Sequence, residues 1–382
     1  MSKGYIRSLD GLRAVAILLV MSFHYQLNYF GWAGVQLFFV LSGFLITRIL
    51  WQEKFKDEAL WPRFRKFWVR RTLRIFPLYY GYLIFLGATY LFFHFPGYYR
   101  TFIPWLATYT INYTRLMPGW LVNPLFTHLW SLSIEEQFYL IFPFFILLCP
   151  PRAIRAGMLL IIAAAPLARY GLGIYYSGRT PDMHVAADAV YWNTLSHLDA
   201  FCMGGLISVM SLDRKVRRPS RILTTAVLLV VMAGALNHLG MDTGHSYLSD
   251  LGYGHAEMRN DQHVWSYTLL NFLFASFILV LVSERVGQRL SLAKRLLETR
   301  WMVEIGKVSY GMYIYHWAIM TYVMDRFLPS DGTAIRIALF VPYVLLVYGF
   351  SRVSYRFYES WFIRLKDRKT ARATAPHVSL NS

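Results

Sequence analysis

Apolar residues recur in long runs along this chain, separated by short polar stretches. The runs fall near 11–30, 32–50, 75–95, 128–149, 157–175, 190–210, 222–239, 264–283, 301–326 and 334–358. As a helix, each can cross about 30 Å of hydrocarbon, with some tilt or local polarity. The stretch 100–127 is different. It holds Pro104, Asn112, Arg115, Pro118, Asn123 and Pro124, and is expected to re-enter or not to span. The pattern predicts an all-α, polytopic membrane helix bundle with about ten transmembrane spans.

The basic residues give the runs a direction. Alternate loops carry Lys3 and Arg7; Lys54 through Arg74; Arg152 and Arg155; Arg214 through Arg221; Arg285 through Arg300; and Arg364 through Arg372. The opposite loops hold only Arg100, Arg115, Arg179 and Arg259. This bias places the richer loops, and both termini, in the cytoplasm. A full span over 100–127 would break that parity. The formal net charge of +18 would suggest nucleic acid in a soluble domain. Here the charge is confined between apolar runs, so the expected partner is the lipid bilayer and no nucleic acid.

Composition agrees with this picture. The chain is 382 residues long, 56% hydrophobic and only 16% charged, too apolar for an ordinary soluble surface. The first run continues to His24 without a small-residue cleavage site, so an uncleaved first span is expected. A membrane domain over 1–362 and a basic, disordered tail over 363–382 follow. With no soluble domain in view, chemistry is expected inside the membrane domain. Cys149 and Cys202 lie in apolar segments without zinc or C-x-x-C spacing and read as buried, unreactive thiols.

Several polar groups interrupt the apolar runs. Arg13 and His24 are eleven residues apart, almost three helical turns. Both side chains then share a face, offset by about 20° and roughly 16 Å apart along the axis. An ionisable group at membrane depth is costly, and function is the default reading; a satisfied core histidine with a topology-setting arginine is the alternative. Arg71 and Arg74, one turn apart, open the third span. They are read at a helix N-terminus, where phosphate would be welcome. Taken alone, they are explained better by topology and lipid headgroup contact. In HLWSLSIEEQFYL, Ser131, Glu135 and Tyr139 share a face, and His128 is expected at the outer surface. Asp199, beside His197 in LSHLDAFCMGG, needs a partner. Ser309, Tyr313 and His316 share a face of EIGKVSYGMYIYHW, and Arg352 and Arg356 form a basic stripe in the tenth span.

In this order, LDGLRAVAILLVMSFH, GVQLFFVLSGFLI, RRTLRIFPLYY, HLWSLSIEEQFYL, LDAFCMGG, IGKVSYGMYIYHW and SYRFYES resemble the acyltransferase-3 family of integral membrane acyltransferases. The likeness covers about residues 5–362. It includes the family's Arg-x10-His signature at Arg13 and His24 and its R-x-x-R motif at Arg71 and Arg74. The resemblance implies transfer of an acyl group, usually acetyl, from cytosolic acyl-CoA to a hydroxyl on an extracytoplasmic saccharide or glycolipid, in a bacterial inner membrane. Acetyl-CoA is then the donor co-substrate, and no metal is implied. His24 would activate the acceptor hydroxyl or carry the acyl group itself. Arg71 and Arg74, joined by Arg352 and Arg356, would bind the CoA phosphates, and Arg13 would organise the donor or the polar pocket. Glu135, which matches the family's E-x-x-F-Y pattern, would orient His24 or bind the acceptor. His128, Asp199, Tyr313 and His316 would serve the acceptor. Larger relatives carry a C-terminal SGNH hydrolase-like domain; without one, the acceptor is met directly or through a separate periplasmic partner. A glycan transporter or flippase, or a non-enzymatic membrane sensor, competes with this reading.

Overall fold

The computed structural model describes residues 5–93, 98–240, 250–283, 288–324 and 333–365. The basic tail expected over 363–382 therefore lies, beyond residue 365, outside the described residues. Helices and short helical turns dominate. In chain order they are α1 (Arg7–His24), α2 (Ala33–Lys54), α3 (Leu60–Phe93), α4 (Tyr98–Ala107), α5 (Trp130–Leu148), α6 (Pro151–Ser177) and α7 (Met183–Trp192). They continue with α8 (Leu198–Val209), α9 (Leu212–Lys215), α10 (Pro219–Leu239), α11 (Gln262–Val282), α12 (Gln288–Leu297), α13 (Arg300–Tyr322) and α14 (Thr333–Ser354).

Their surface is that of a membrane bundle. Ile84, Phe85, Leu140, Ile141, Leu160, Leu167, Leu228, Val231 and Leu239 are all exposed. On α6 and α10 only 22% of the most apolar window is buried. Water would not tolerate so much contiguous apolar surface, whereas lipid does. Among the described residues, six helices are long and apolar enough to cross a membrane: those within 29–54, 127–148, 151–177, 219–239, 259–282 and 334–365. The other four expected runs also fall on helices. Of these, α1, α3 and α13 carry charges along their length, and the apolar stretch containing α8 covers only Thr194–Val209.

Three boundaries differ from expectation, each for a local reason. The first run does not stay helical to residue 30. Gln26 takes a left-handed φ of 61°, which breaks the helix and makes His24 the last residue of α1. The run at 190–210 is split at Asn193, whose extended backbone ends α7 and whose side chain caps the turn after it, accepting from the Leu195 N–H at 3.0 Å. The third helix begins at Leu60, well before the apolar run, and its 34 residues extend about 51 Å. Arg71 and Arg74 thus sit inside a helix, where every backbone N–H is already engaged. The N-terminal anion site expected for them does not exist.

Backbone contact without intervening side chains sets the helix pairs that matter most. A Cβ on Gly306 of α13 would lie 1.8 Å from the Asp10 carbonyl oxygen, and one on Gly11 of α1 would lie 2.0 Å from that of Leu297. Gly306 lets α13 pack directly on α1, and Gly11 lets the end of α12 do so; α1 and α13 run in the same direction, so that His24 meets His316 at their far ends. Gly43 and Gly204 do the same for α2 and α8. Lys54, at the end of α2, donates to the carbonyls of Ile146, Leu147 and Cys149 at 2.9, 3.1 and 2.8 Å. It thereby caps the free C-terminal carbonyls of α5.

Candidate functional site

The site begins on α1. The Arg13 guanidinium donates to Asp10 Oδ1 at 2.5 Å, and the Tyr5 hydroxyl donates to the other carboxylate oxygen. Asp10 is therefore the partner that aims Arg13. It lies three residues before Arg13, on the same face.

Arg13 faces a cavity of about 90 Å³ that also receives Arg71 and Arg74 from α3, Ser42 from α2, Glu135 and Tyr139 from α5, and Ser309 and Tyr313 from α13. Five sequence-predicted residues (Arg13, Arg71, Arg74, Glu135 and Tyr313) are thus brought together from four helices. Glu135 accepts hydrogen bonds from the Ser42 and Tyr139 hydroxyls. The Arg71 guanidinium lies 5.6 Å from the centre of the Tyr139 ring, a cation–π contact. Among the described residues neither Arg71 nor Arg74 belongs to an ion pair. Both also line a second cavity, of about 220 Å³, with Lys66, Arg70 and Glu53. Together the two cavities, which share Arg71 and Arg74 in their linings, make up a basic passage, its larger part at Glu53 and Lys66 and its smaller part at Tyr313. Lys66 and Arg70 were not singled out from the sequence. Their position about two turns and one turn before Arg74 on the same helix was the available signal. Ser42 had none, because its meeting with Glu135 depends on how α2 and α5 pack.

Beyond the wall formed by Tyr313 lies a cluster of histidines. The Tyr313 hydroxyl bonds the His128 carbonyl at 2.9 Å and Ser131 Oγ at 2.5 Å. His316 stands one turn further along α13, with its ring centre 5.6 Å from that of Tyr313, 5.1 Å from His128 and 4.9 Å from His24. His24 Nδ1 lies 3.1 Å from His316 Nε2, and the His24 ring packs, tilted by 34°, against Trp317 with ring centres 4.3 Å apart. His128, expected at the outer surface, is instead buried at 1% exposure, its Nε2 3.1 Å from the Ile314 carbonyl. The short turn at Thr127–Leu129 and the start of α5 fold it inward against α13. His24 keeps part of its surface exposed, whereas His316 is fully buried. Among the described residues no group of three or more His, Cys, Asp or Glu side chains is placed to hold a metal ion.

The remaining predicted residues sit elsewhere. Glu135 contacts Ser42 and Tyr139 rather than His24; the ring that reaches His24 is His316. Arg352 is exposed and paired with Glu304, which also binds Lys307 at 2.9 Å. Arg356 is exposed in a wide helical turn, Tyr355–Glu359, after α14. Neither lines the basic passage. Asp199 is fully buried and saturated. Arg169 pairs with it at 3.1 Å, Thr268 donates at 2.6 Å, Asn271 at 3.2 Å and the Ala200 N–H at 3.0 Å. No lone pair is left for a ligand, and the cluster ties α6, α8 and α11 together.

An apolar multi-helix bundle with basic cavities near a paired histidine is the frame of a polytopic membrane protein. The chain belongs to the acyltransferase-3 family, whose acyltransferase-domain model matches residues 6–356. Among curated relatives, the O-acetyltransferase OatA of Staphylococcus aureus strain NCTC 8325 is 26% identical over 376 residues, covering 94% of this chain and 57% of the relative. The protein of the same name from strain MRSA252 matches to the same extent. The chain thus spans a little over half the length of these relatives. No solved structure shows a significant match.

Proposed function

We propose that this acyltransferase is a membrane O-acetyltransferase that takes the acetyl group from cytosolic acetyl-CoA and places it on a hydroxyl of an extracytoplasmic saccharide, such as a surface polysaccharide. The observation that carries this reading is the gathering of Arg13, Arg71, Arg74 and Glu135 in one cavity, whose lining residue Tyr313 packs against His316, the neighbour of His24. The unpaired guanidinia of Arg71 and Arg74, with Lys66 and Arg70 at the wider end, suit the phosphates of CoA. The O-acetyltransferase names of the relatives point the same way.

In the proposed reaction the acceptor hydroxyl gives its proton to His24 Nε2 as its oxygen attacks the thioester carbonyl. The tetrahedral oxyanion collapses, the C–S bond breaks and the ester forms. The departing CoA thiolate recovers the proton from His24 Nε2–H, so the ring ends as it began. Tyr313 must move for the thioester to reach His24.

The positive-inside bias puts Arg71 and Arg74 on the cytoplasmic side, with both termini, in a bundle of about ten spans. The shared direction of α1 and α13 supports that alternation. Purified protein in lipid nanodiscs, given acetyl-CoA and a surface-glycan extract, should release free thiol in step with ester formed. Absence of acceptor-dependent thiol release would overturn the reading.

A further inference from the structure

We infer that His316 is a positioning residue for His24: it accepts a hydrogen bond from His24 Nδ1–H and so leaves His24 Nε2 as the free basic nitrogen. The inference rests on the proposed role of His24 as the base, and it adds which nitrogen acts and what holds it.

The hydrogen-bond partners assign both rings. His316 Nδ1 is 2.7 Å from the Tyr313 carbonyl oxygen. A carbonyl only accepts, so His316 carries its proton on Nδ1, and in the neutral ring Nε2 is a bare lone pair. That lone pair faces His24 Nδ1 at 3.1 Å. The other neighbour of His24 Nδ1 is the Val20 carbonyl at 3.2 Å, again only an acceptor. Two acceptors on one nitrogen demand a donor, so His24 carries its proton on Nδ1. Its Nε2 is then unprotonated, as a general base requires.

The arrangement performs the task that a carboxylate performs in a serine-hydrolase triad, with a neutral imidazole in its place. When Nε2 takes the acceptor's proton, the imidazolium charge spreads to Nδ1–H. That hydrogen bond becomes charge-assisted and strengthens as the transition state forms. The Tyr313 carbonyl, one helical turn before His316, holds the second ring. His316 is buried at 0% exposure and His24 packs against Trp317, so both rings are held among close neighbours. The Tyr343 hydroxyl, bonded to the His316 carbonyl at 3.0 Å, fixes this turn of α13 from α14.

The test uses the full chain in nanodiscs, labelled with ¹⁵N-histidine, with the two signals assigned by their loss in His24→Gln and His316→Phe. At neutral pH the wild type should show protonated Nδ1 and bare Nε2 on both rings. A proton on Nε2 of either ring would overturn the assignment without reference to turnover or to any variant's folding. Activity then tests the consequence, with acetyl-CoA as donor and a surface-glycan extract as acceptor. His316→Phe should lower the maximal rate about tenfold, the scale of one hydrogen bond to a charged group, and leave the half-saturating acetyl-CoA concentration unchanged. His316→Gln, whose amide oxygen still accepts from Nδ1–H, should recover most of the rate. A full rate in His316→Phe would overturn the positioning role. If His24→Ala retains turnover, the base reading of His24 fails, and the labelled spectra still judge the pair separately.

Discussion

His24 carries the proposed chemistry, and its surroundings define how a change there should read. His24→Ala removes the ring but touches neither the Asp10–Arg13 pair nor the basic passage. Acetyl transfer should fall by about a hundredfold or more, the scale of a lost general base, while acetyl-CoA binding persists. Activity close to wild type in a folded, inserted variant would contradict the role. Arg71→Ala and Arg74→Ala belong to the other end. Each should raise the half-saturating acetyl-CoA concentration about tenfold, one charge-assisted contact to phosphate, with a smaller effect on the acceptor; titration of each substrate in turn checks this. The Arg13 and His24 pair was legible because helical periodicity is a property of one segment. The bond between His24 and His316 was not. It joins residues 292 apart, and its existence depends on how closely two helices approach.

That approach is decided at the scale of elements. Gly306 lets α1 and α13 touch through their backbones, as small residues do at membrane helix interfaces. Gly306→Leu cannot be accommodated without parting the helices. It should cost about 1–3 kcal/mol or more of stability by overpacking and lower activity by separating His24 from His316; thermal denaturation in detergent beside an activity assay would show both. The Arg169–Asp199 pair is a second tie. Removing one partner, as in Asp199→Ala, strands a buried guanidinium and should destabilise the protein by about 3–5 kcal/mol, with activity lost only in proportion to folded protein. A selective fall in acceptor affinity would instead return Asp199 to the substrate. The length of α3 was the element hardest to read. The continuous apolar run begins near its middle, yet Arg and Lys mixed with Phe and Trp carry the helix back to Leu60 without strain, so the end of the hydropathy signal is not the end of the helix. The reverse holds at Gln26 and Asn193, where single backbone conformations cut apolar runs that periodicity alone would extend.

For the molecule as a whole, the bundle was legible from its apolar runs, and their exposed surfaces agree with a lipid environment. Which helices meet around the cavity was not legible: α1, α2, α3, α5 and α13 are scattered along the chain, and no local signal brings Ser42 to Glu135 or Arg71 to Tyr139. Sidedness is the claim that the whole assembly makes. The basic passage widens toward Lys66 and Arg70, on the side the charge bias assigns to the cytoplasm, and His24 closes the opposite end of α1. The most direct measurement uses inside-out membrane vesicles from cells making this protein, supplied externally with acetyl-CoA labelled in the acetyl group. Vesicles with the wild-type chain should accumulate ester-linked label on glycan in their lumen, one thiol appearing outside for each acetyl group transferred, and vesicles with His24→Ala should accumulate none. Equal labelling in both, or labelling only when acetyl-CoA is sealed in the lumen, would contradict the account.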